Sequence, residues 1–299
     1  MFRKANTIAR DFTRAVIMSR MTVAGACSAG IGAFVVVNDE GWIVTAAHIL
    51  DNIIELGNAE REYLAHQQRE GQIRADAALD EKTRRKQLQG LGKLRGTDTA
   101  RSSAWFGGTG GGLENITRIA AVDLGVAKLL NFDKGSVPRY PRFKADGPDF
   151  TPGTSLCKLG FPFYQGHPSW DQDAGAFRYP PGELNACCFP MEGIFTRTQL
   201  VIPQDQDGNQ IPSPFPLEYL ETSTPGLKGQ SGGPIFDVDG NIWALQCLTS
   251  HTPLGFSPLV EVNGKKSVEH QFINLGMGPS SRTIAAVLTN LGVRFDVAP

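Results

Sequence analysis

Net charge is nearly absent from this chain, cysteine is scarce, and no apolar run is long. The 29 basic and 30 acidic side chains leave a formal charge of −1 over 299 residues, so there is no general attraction to a polyanion or an anionic surface. No nucleic-acid partner is expected. The longest apolar runs, residues 31–37 and 42–47, fall far below the roughly 20 residues that span a bilayer, and no membrane partner is expected either. The five cysteines, Cys27, Cys157, Cys187, Cys188 and Cys247, are odd in number and include an adjacent pair. That pattern matches neither a disulfide framework nor a Cys-x-x-Cys metal site; they read as buried thiols, with no metal and no cofactor implied. Arg3, Lys4, Arg10, Arg14 and Arg20 break up the first twenty residues, which lack the uninterrupted apolar stretch of a secretory leader. A cytoplasmic location is the expectation.

What is present is a turn-rich chain with a sizeable core. Hydrophobic residues make up 41% and charged residues 20%, with 34 glycines and 19 prolines, a balance that excludes disorder and collagen. Short β-type runs dominate, at residues 15–18, 33–37, 42–45, 116–130, 155–159, 194–202, 235–238 and 242–248. They are separated by turn signals such as Asn38-Asp39-Glu40-Gly41 and Asp237-Val238-Asp239-Gly240-Asn241. Many short strands of this kind argue for a sandwich or barrel.

One stretch departs from this pattern. Residues 60–95 hold 15 charged side chains in 36, about twice the density of the chain, and their apolar positions have helical spacing. A helical insert over about 52–112 is expected, returning through the glycine-rich segment 105–112. A second helix is expected at the end, with Ser281 as N-cap, 282–291 as body and Gly292 as stop.

Chemistry concentrates in three places. Gly229-Gln230-Ser231-Gly232-Gly233-Pro234 surrounds a serine with glycines that permit a sharp turn and a close backbone approach. A serine hydroxyl is a weak nucleophile unless a base takes its proton and N–H donors await the oxyanion. Thr45-Ala46-Ala47-His48 ends an apolar strand, and Asp123-Leu124-Gly125-Val126-Ala127-Lys128-Leu129 begins another. Taken singly, each reads as an ordinary turn, a structural histidine or a strand-end charge. Together, in the order His, Asp, Ser, they resemble the chymotrypsin/trypsin-like serine peptidases, most closely the compact bacterial-type members, over residues 15–50 and 113–295.

The resemblance implies an all-β fold of two six-stranded antiparallel β-barrels. Residues 1–140 would carry His48 and Asp123, and residues 141–299 would carry Ser231 and the C-terminal helix. It implies a serine endopeptidase in which Ser231 attacks the scissile carbonyl, His48 takes and returns the proton, and Asp123 orients the imidazole. The N–H groups of Gly229 and Ser231 would form the oxyanion hole. The residue before the nucleophile is Gln230, where the digestive members carry an aspartate that pairs with a newly released N-terminus, so activation by N-terminal trimming is not expected. The pocket floor falls on Pro225, its wall on Gln246, Cys247, Leu248 and Thr249, and its entrance on Lys228. With no acid at the floor, cleavage after Arg or Lys is disfavoured, and Lys228 favours an acidic neighbour.

The partner implied is a protein or peptide substrate, with a regulatory protein as a further candidate at the insert 52–112. Two other functions fit parts of the pattern. Gly229-Gln230-Ser231-Gly232-Gly233 also satisfies the G-x-S-x-G of serine esterases on the α/β-hydrolase fold, but that fold needs a helix after the serine, where Pro234 stands. A protease-fold binding or scaffold protein with an idle triad is the other.

Overall fold

The runs Ala15-Val16-Ile17-Met18 and Ala33-Phe34-Val35-Val36 are apolar without alternation, which suits strands covered on both faces. In the computed structural model, which describes all residues from 1 to 299 except 149, 206, 263 and 299, they lie in β1 (Thr13–Thr22) and β2 (Cys27–Val36), paired so that Ala15 faces Ala33. The Asn38 turn then leads into β3 (Trp42–Ala46), with Asn38 Oδ1 accepting from the Glu40 N–H at 3.0 Å. β4 (Thr99–Phe106), β5 (Gly112–Ile119) and β6 (Leu124–Leu130) complete a six-stranded antiparallel sheet in the order β4-β1-β2-β3-β6-β5.

The second sheet begins with β7 (Arg142–Lys144) and β8 (Ser155–Gly160). A separate hairpin, β9 (Ser169–Asp171) with β10 (Ala176–Arg178), precedes β11 (Phe189–Leu200), β12 (Glu218–Thr222), β13 (Pro234–Phe236), β14 (Ile242–Leu245) and β15 (Leu248–Pro253). Another hairpin, β16 (Leu259–Val262) with β17 (Lys265–Val268), leads to β18 (Phe272–Pro279) and finally β19 (Asp296–Ala298). The order is β15-β18-β12-β11-β8-β13-β14-β7-β19. The chain is mostly strand, in two sheets, with a C-terminal helix. Six strands form the first sheet; the second carries nine, seven antiparallel ones and the short β7 and β19, which add in parallel at the β14 edge.

A single buried cluster runs through both sheets, including Phe34, Val44 and Leu124 from the first and Phe143, Leu159, Phe236 and Ile242 from the second. The helices join it. α1 (Arg3–Phe12) buries Ala5, Ala9 and Phe12 on one face, and Phe2 sets its ring edge-on to Phe236 at 6.3 Å. The N-terminal segment thus crosses onto the second sheet and is folded there as it stands. α4 (Ser281–Asn290) starts one residue earlier than expected. Ser280 is the N-cap, accepting from the Thr283 N–H, while Ser281 Oγ donates to the Lys144 carbonyl at 2.8 Å.

The insert differs most from expectation. α2 (Ala47–Ala75) and α3 (Glu81–Gly90) confine the helical part to 47–90, and β4 lies inside the span expected for the insert. β4 is a sheet edge, so its polar residues Arg101, Ser102 and Ser103 sit partly exposed rather than marking a loop. Nor is α2 a loosely tethered decoration: Ile49 and Leu50 are buried, and Glu60 accepts from the Ser102 N–H and hydroxyl. The cysteines also divide. All five are free, but only Cys157 and Cys247 are buried; Cys187 is exposed, and Cys27 and Cys188 are half-buried. Among the described residues no helix is long and apolar enough to cross a membrane.

Candidate active site

The first two N–H groups of α2 meet the same distant residue, Asp123, one through its carbonyl and one through its carboxylate. Ala46, the N-cap, has no side-chain oxygen to offer, so the opening turn needs other acceptors. Asp123 supplies them: its carbonyl accepts from the Ala47 N–H at 3.0 Å and its Oδ1 from the His48 N–H at 2.9 Å. A negative charge at a helix N-terminus also suits the helix dipole. The second carboxylate oxygen, Oδ2, accepts from His48 Nδ1 at 2.7 Å. An ionised carboxylate only accepts, so Nδ1 carries the proton and Nε2 is left as the base. Asp123 reaches this position from the left-handed backbone region, φ 51°, at the end of the 3₁₀ turn Ala120–Val122. That conformation is uncommon for a residue with a side chain, and such outliers cluster at functional sites.

The serine loop arrives from the second sheet and is bonded to both. Its Gly229 carbonyl accepts from the Phe161 N–H at 2.9 Å, the Ser231 carbonyl accepts from the Ala33 N–H of β2 at 2.8 Å, and the Gly232 N–H donates to the Gln246 carbonyl at 2.7 Å. Gly232, at φ +82°, presses onto β2 and β3 where any Cβ would strike the Ala33 carbonyl and Thr45 Oγ1. Thr45 lies three residues before His48. The serine loop therefore docks on the strand that leads into His48, at the seam between the sheets. Within the loop, Gln230 donates its N–H to the Leu227 carbonyl, whereas the N–H groups of Gly229 and Ser231 have no partner among the described residues. Two unspent donors flank the half-buried serine, which is what an oxyanion requires. Ser231 Oγ itself donates to the Cys247 carbonyl at 3.5 Å, not to the imidazole.

Cys247, expected at the pocket wall, also joins the two halves. Its Sγ donates to the Asp123 carbonyl at 3.4 Å. Burial first, and then the Asp123 charge, push the thiol well above its ordinary pKa, so it stays protonated. Tyr219 is held protonated for the same two kinds of reason, burial first and then nearby Cys247 and Asp123, and its hydroxyl donates to the Ala121 carbonyl.

The other expected pocket residues come together. Thr249 Oγ1 bonds both the N–H and the carbonyl of Gly226, each at 2.9 Å. Gln246 is buried and donates from Nε2 to the Leu248 carbonyl at 2.7 Å. Lys228 is exposed. Pro225 is held by a residue not singled out in the sequence: the buried Lys158 amine donates to the Pro225 carbonyl at 3.1 Å and to that of Thr224. Its only sequence signal was a charge inside the apolar strand 155–159. His66, His167, His251 and His270 bond elsewhere, to Gly92, Glu183, Asn274 and Ser257. After Ser231 the chain enters β13 with no helix, unlike the α/β-hydrolase arrangement.

No curated protein sequence matches the chain. Among solved structures it is similar to the active form of the protease Rv3671c from M. tuberculosis, at 12% identity with a TM-score of 0.47, covering 98% of this chain and 86% of that one. It is also similar to an HtrA-type protease, AlgW, with a tripeptide, at 14% identity and a TM-score of 0.43, covering 98% of this chain and 65% of that one. The model of the trypsin-like peptidase domain matches residues 30–245, a span that contains His48, Asp123 and Ser231, and the chain belongs to that family.

Proposed function

We propose that this protein is a serine endopeptidase working through Ser231, His48 and Asp123. The observation that carries the reading is the two-point grip of Asp123 on His48, which fixes the tautomer with Nε2 free, at the seam where the Ser231 loop docks. Ser231 Oγ rotates from the Cys247 carbonyl toward Nε2 when substrate binds; catalytic hydrogen bonds often form only in the substrate complex. Oγ attacks the scissile carbonyl and its proton passes to Nε2, while Asp123 stabilises the imidazolium and the Gly229 and Ser231 N–H groups take the oxyanion. The C–N bond then breaks, the amine leaves with the proton from Nε2, and an acyl-enzyme ester remains on Ser231. Water, deprotonated by the same nitrogen, repeats the sequence and releases the acid. Gln230, which cannot pair with a released N-terminus as an aspartate would, supports competence without N-terminal trimming, and a cytoplasmic site of action fits the free cysteines.

One observation favours a second reading, a protease-fold binding protein with an idle triad: the hydroxyl's bond to Cys247. A fluorophosphonate probe separates the two. Endopeptidase activity predicts covalent labelling and cleavage of an unfolded protein substrate, both lost in Ser231→Ala; an intact protein that neither labels nor cleaves would establish the idle reading. We also propose a regulatory protein partner for α2 and α3, because His48 lies in the first turn of α2 and a force on the helix reaches the base. Deleting 62–94 with a short linker, which spares Glu60 and β4, should alter substrate choice or partner binding; no change in either would refute this.

A further inference from the structure

The charge of the insert is not evenly spread. Residues 81–95 hold six cations and one acid, a net of +5, against −1 for the whole chain. Two of the cations are spent within the insert: Arg84 donates to the carbonyls of Asp76 and Leu79, and Arg95 pairs with Asp98. The other four, Lys82, Arg85, Lys86 and Lys93, are exposed and have no ion pair among the described residues. Lys82 stands three and four residues before Arg85 and Lys86, so like charges crowd one side of α3 and oppose its folding. Nor does the core hold this helix, since none of its residues is buried. What keeps it is its N-cap, Asp80 accepting from the Thr83 N–H at 2.7 Å, and its contact with α2.

Along the same helix runs a shallow groove. Glu81, Arg84, Arg85, Leu88, Gln89 and Lys93 line a cavity of about 500 Å³, following the i, i+3, i+4 spacing of one helix face. Its surface is mostly apolar although only Leu88 among these side chains is an apolar residue. The floor is therefore Leu88 and the aliphatic stems of its neighbours, with their charged ends toward water. Glu81, the one acid, stands in the first turn, away from Lys93.

An apolar floor beside free cations suits a ligand that is both apolar and anionic. Three kinds of polyanion differ on this point. A nucleic-acid duplex presents phosphates but nothing apolar to fill the floor, and the headgroup plane of a lipid surface is flat where this surface is concave. A polypeptide with an apolar side chain between carboxylates supplies both, and each carboxylate can bond a guanidinium or an ammonium that has no anion of its own. We propose that the basic face of α3 is a docking site for an acidic segment of another protein, held by Lys82, Arg85, Lys86 and Lys93 with an apolar side chain seated on Leu88. This rests on the reading of the insert as a partner site, and it gives that partner its chemistry.

The test is binding of a fluorescent, capped peptide, Glu-Glu-Leu-Glu-Glu, to the full chain, with Ser231→Ala present throughout so that the peptide is not cut. It should bind at least about tenfold more tightly than Gln-Gln-Leu-Gln-Gln, and weaken as salt rises from about 50 to about 300 mM. Lys82→Gln, Arg85→Gln, Lys86→Gln and Lys93→Gln together, all at exposed positions, should cost about tenfold or more, and serine in place of the peptide's leucine about fivefold. No binding, equal binding of the acidic and amide peptides, no loss in the four-residue variant or with serine, or tighter binding of duplex DNA or of phosphatidylserine vesicles overturns the assignment. If it falls while deleting 62–94 still alters substrate choice, the partner reading stands; if the deletion alters nothing either, both fall.

Discussion

The two halves of the site are built differently. On the first sheet, His48 and Asp123 form a closed arrangement: each carboxylate oxygen has a donor, the imidazole has one tautomer, and the start of α2 is capped in the same stroke. On the second sheet the polar groups are incomplete. Among the described residues the Gly229 and Ser231 N–H groups are unpaired, Lys158 has no counter-ion, and Gln246 Oε1 and Thr224 Oγ1 have no partner. In the proposed mechanism the finished half is the proton machinery, in place before anything binds. The unfinished half then includes the Gly229 and Ser231 N–H groups that an oxyanion would complete, and such preorganised, unspent donors are where transition-state stabilisation resides.

Changes to the serine loop and the base–acid pair should break this contrast most severely. Ser231→Ala removes the nucleophile and should lower turnover by on the order of 10⁶ in a peptide-cleavage assay. Asp123→Asn should lower it by on the order of 10⁴, because the amide disrupts the tautomer that leaves Nε2 free; an effect below tenfold would show that the grip on His48 is structural only. Gly232→Ala tests the docking of the loop. Its φ of +82° and the contact with the Ala33 carbonyl predict a loss of about 2–4 kcal/mol in chemical denaturation, and unaltered stability would mean that the seam yields.

The smallest effect concerns the unpaired amine and depends on pH. Lys158 has a folded pKa near 7 against an ordinary 10.5, so between those values the unfolded chain holds a proton that the folded one lacks. Stability contributed by this residue therefore rises with pH across that window, and below it both states are protonated and the full burial penalty remains. Lys158→Met should gain most over wild type below about pH 7 and progressively less up to 10.5, as read from paired denaturation curves. A difference that does not vary with pH would mean the amine titrates normally.

The elements that could be read from sequence were those whose signals are local. The apolar strands, the glycine-flanked serine and the C-terminal helix all announce themselves within a dozen residues. What escaped depends on distant partners. The start of α2 at Ala47 has no capping side chain of its own, because its cap is Asp123, 75 residues beyond His48. α1 was hidden by its basic residues, although Ala5, Ala9 and Phe12 lie on one helical face. β4 was hidden in the charged insert because an edge strand tolerates polar residues. Lys158 looked like an ordinary strand charge, since nothing near it in sequence shows that Thr224 and Pro225 close over it. The role of Cys247 between Asp123 and Ser231 is likewise a matter of packing across the seam.

The most direct measurement maps the covalent adduct of a fluorophosphonate by peptide mass spectrometry, in the wild-type protein and in His48→Ala. Cooperation of the three side chains predicts a single adduct on Ser231 in the wild type and its loss in the variant. An adduct on another residue, or labelling of Ser231 at an equal rate without His48, would contradict it.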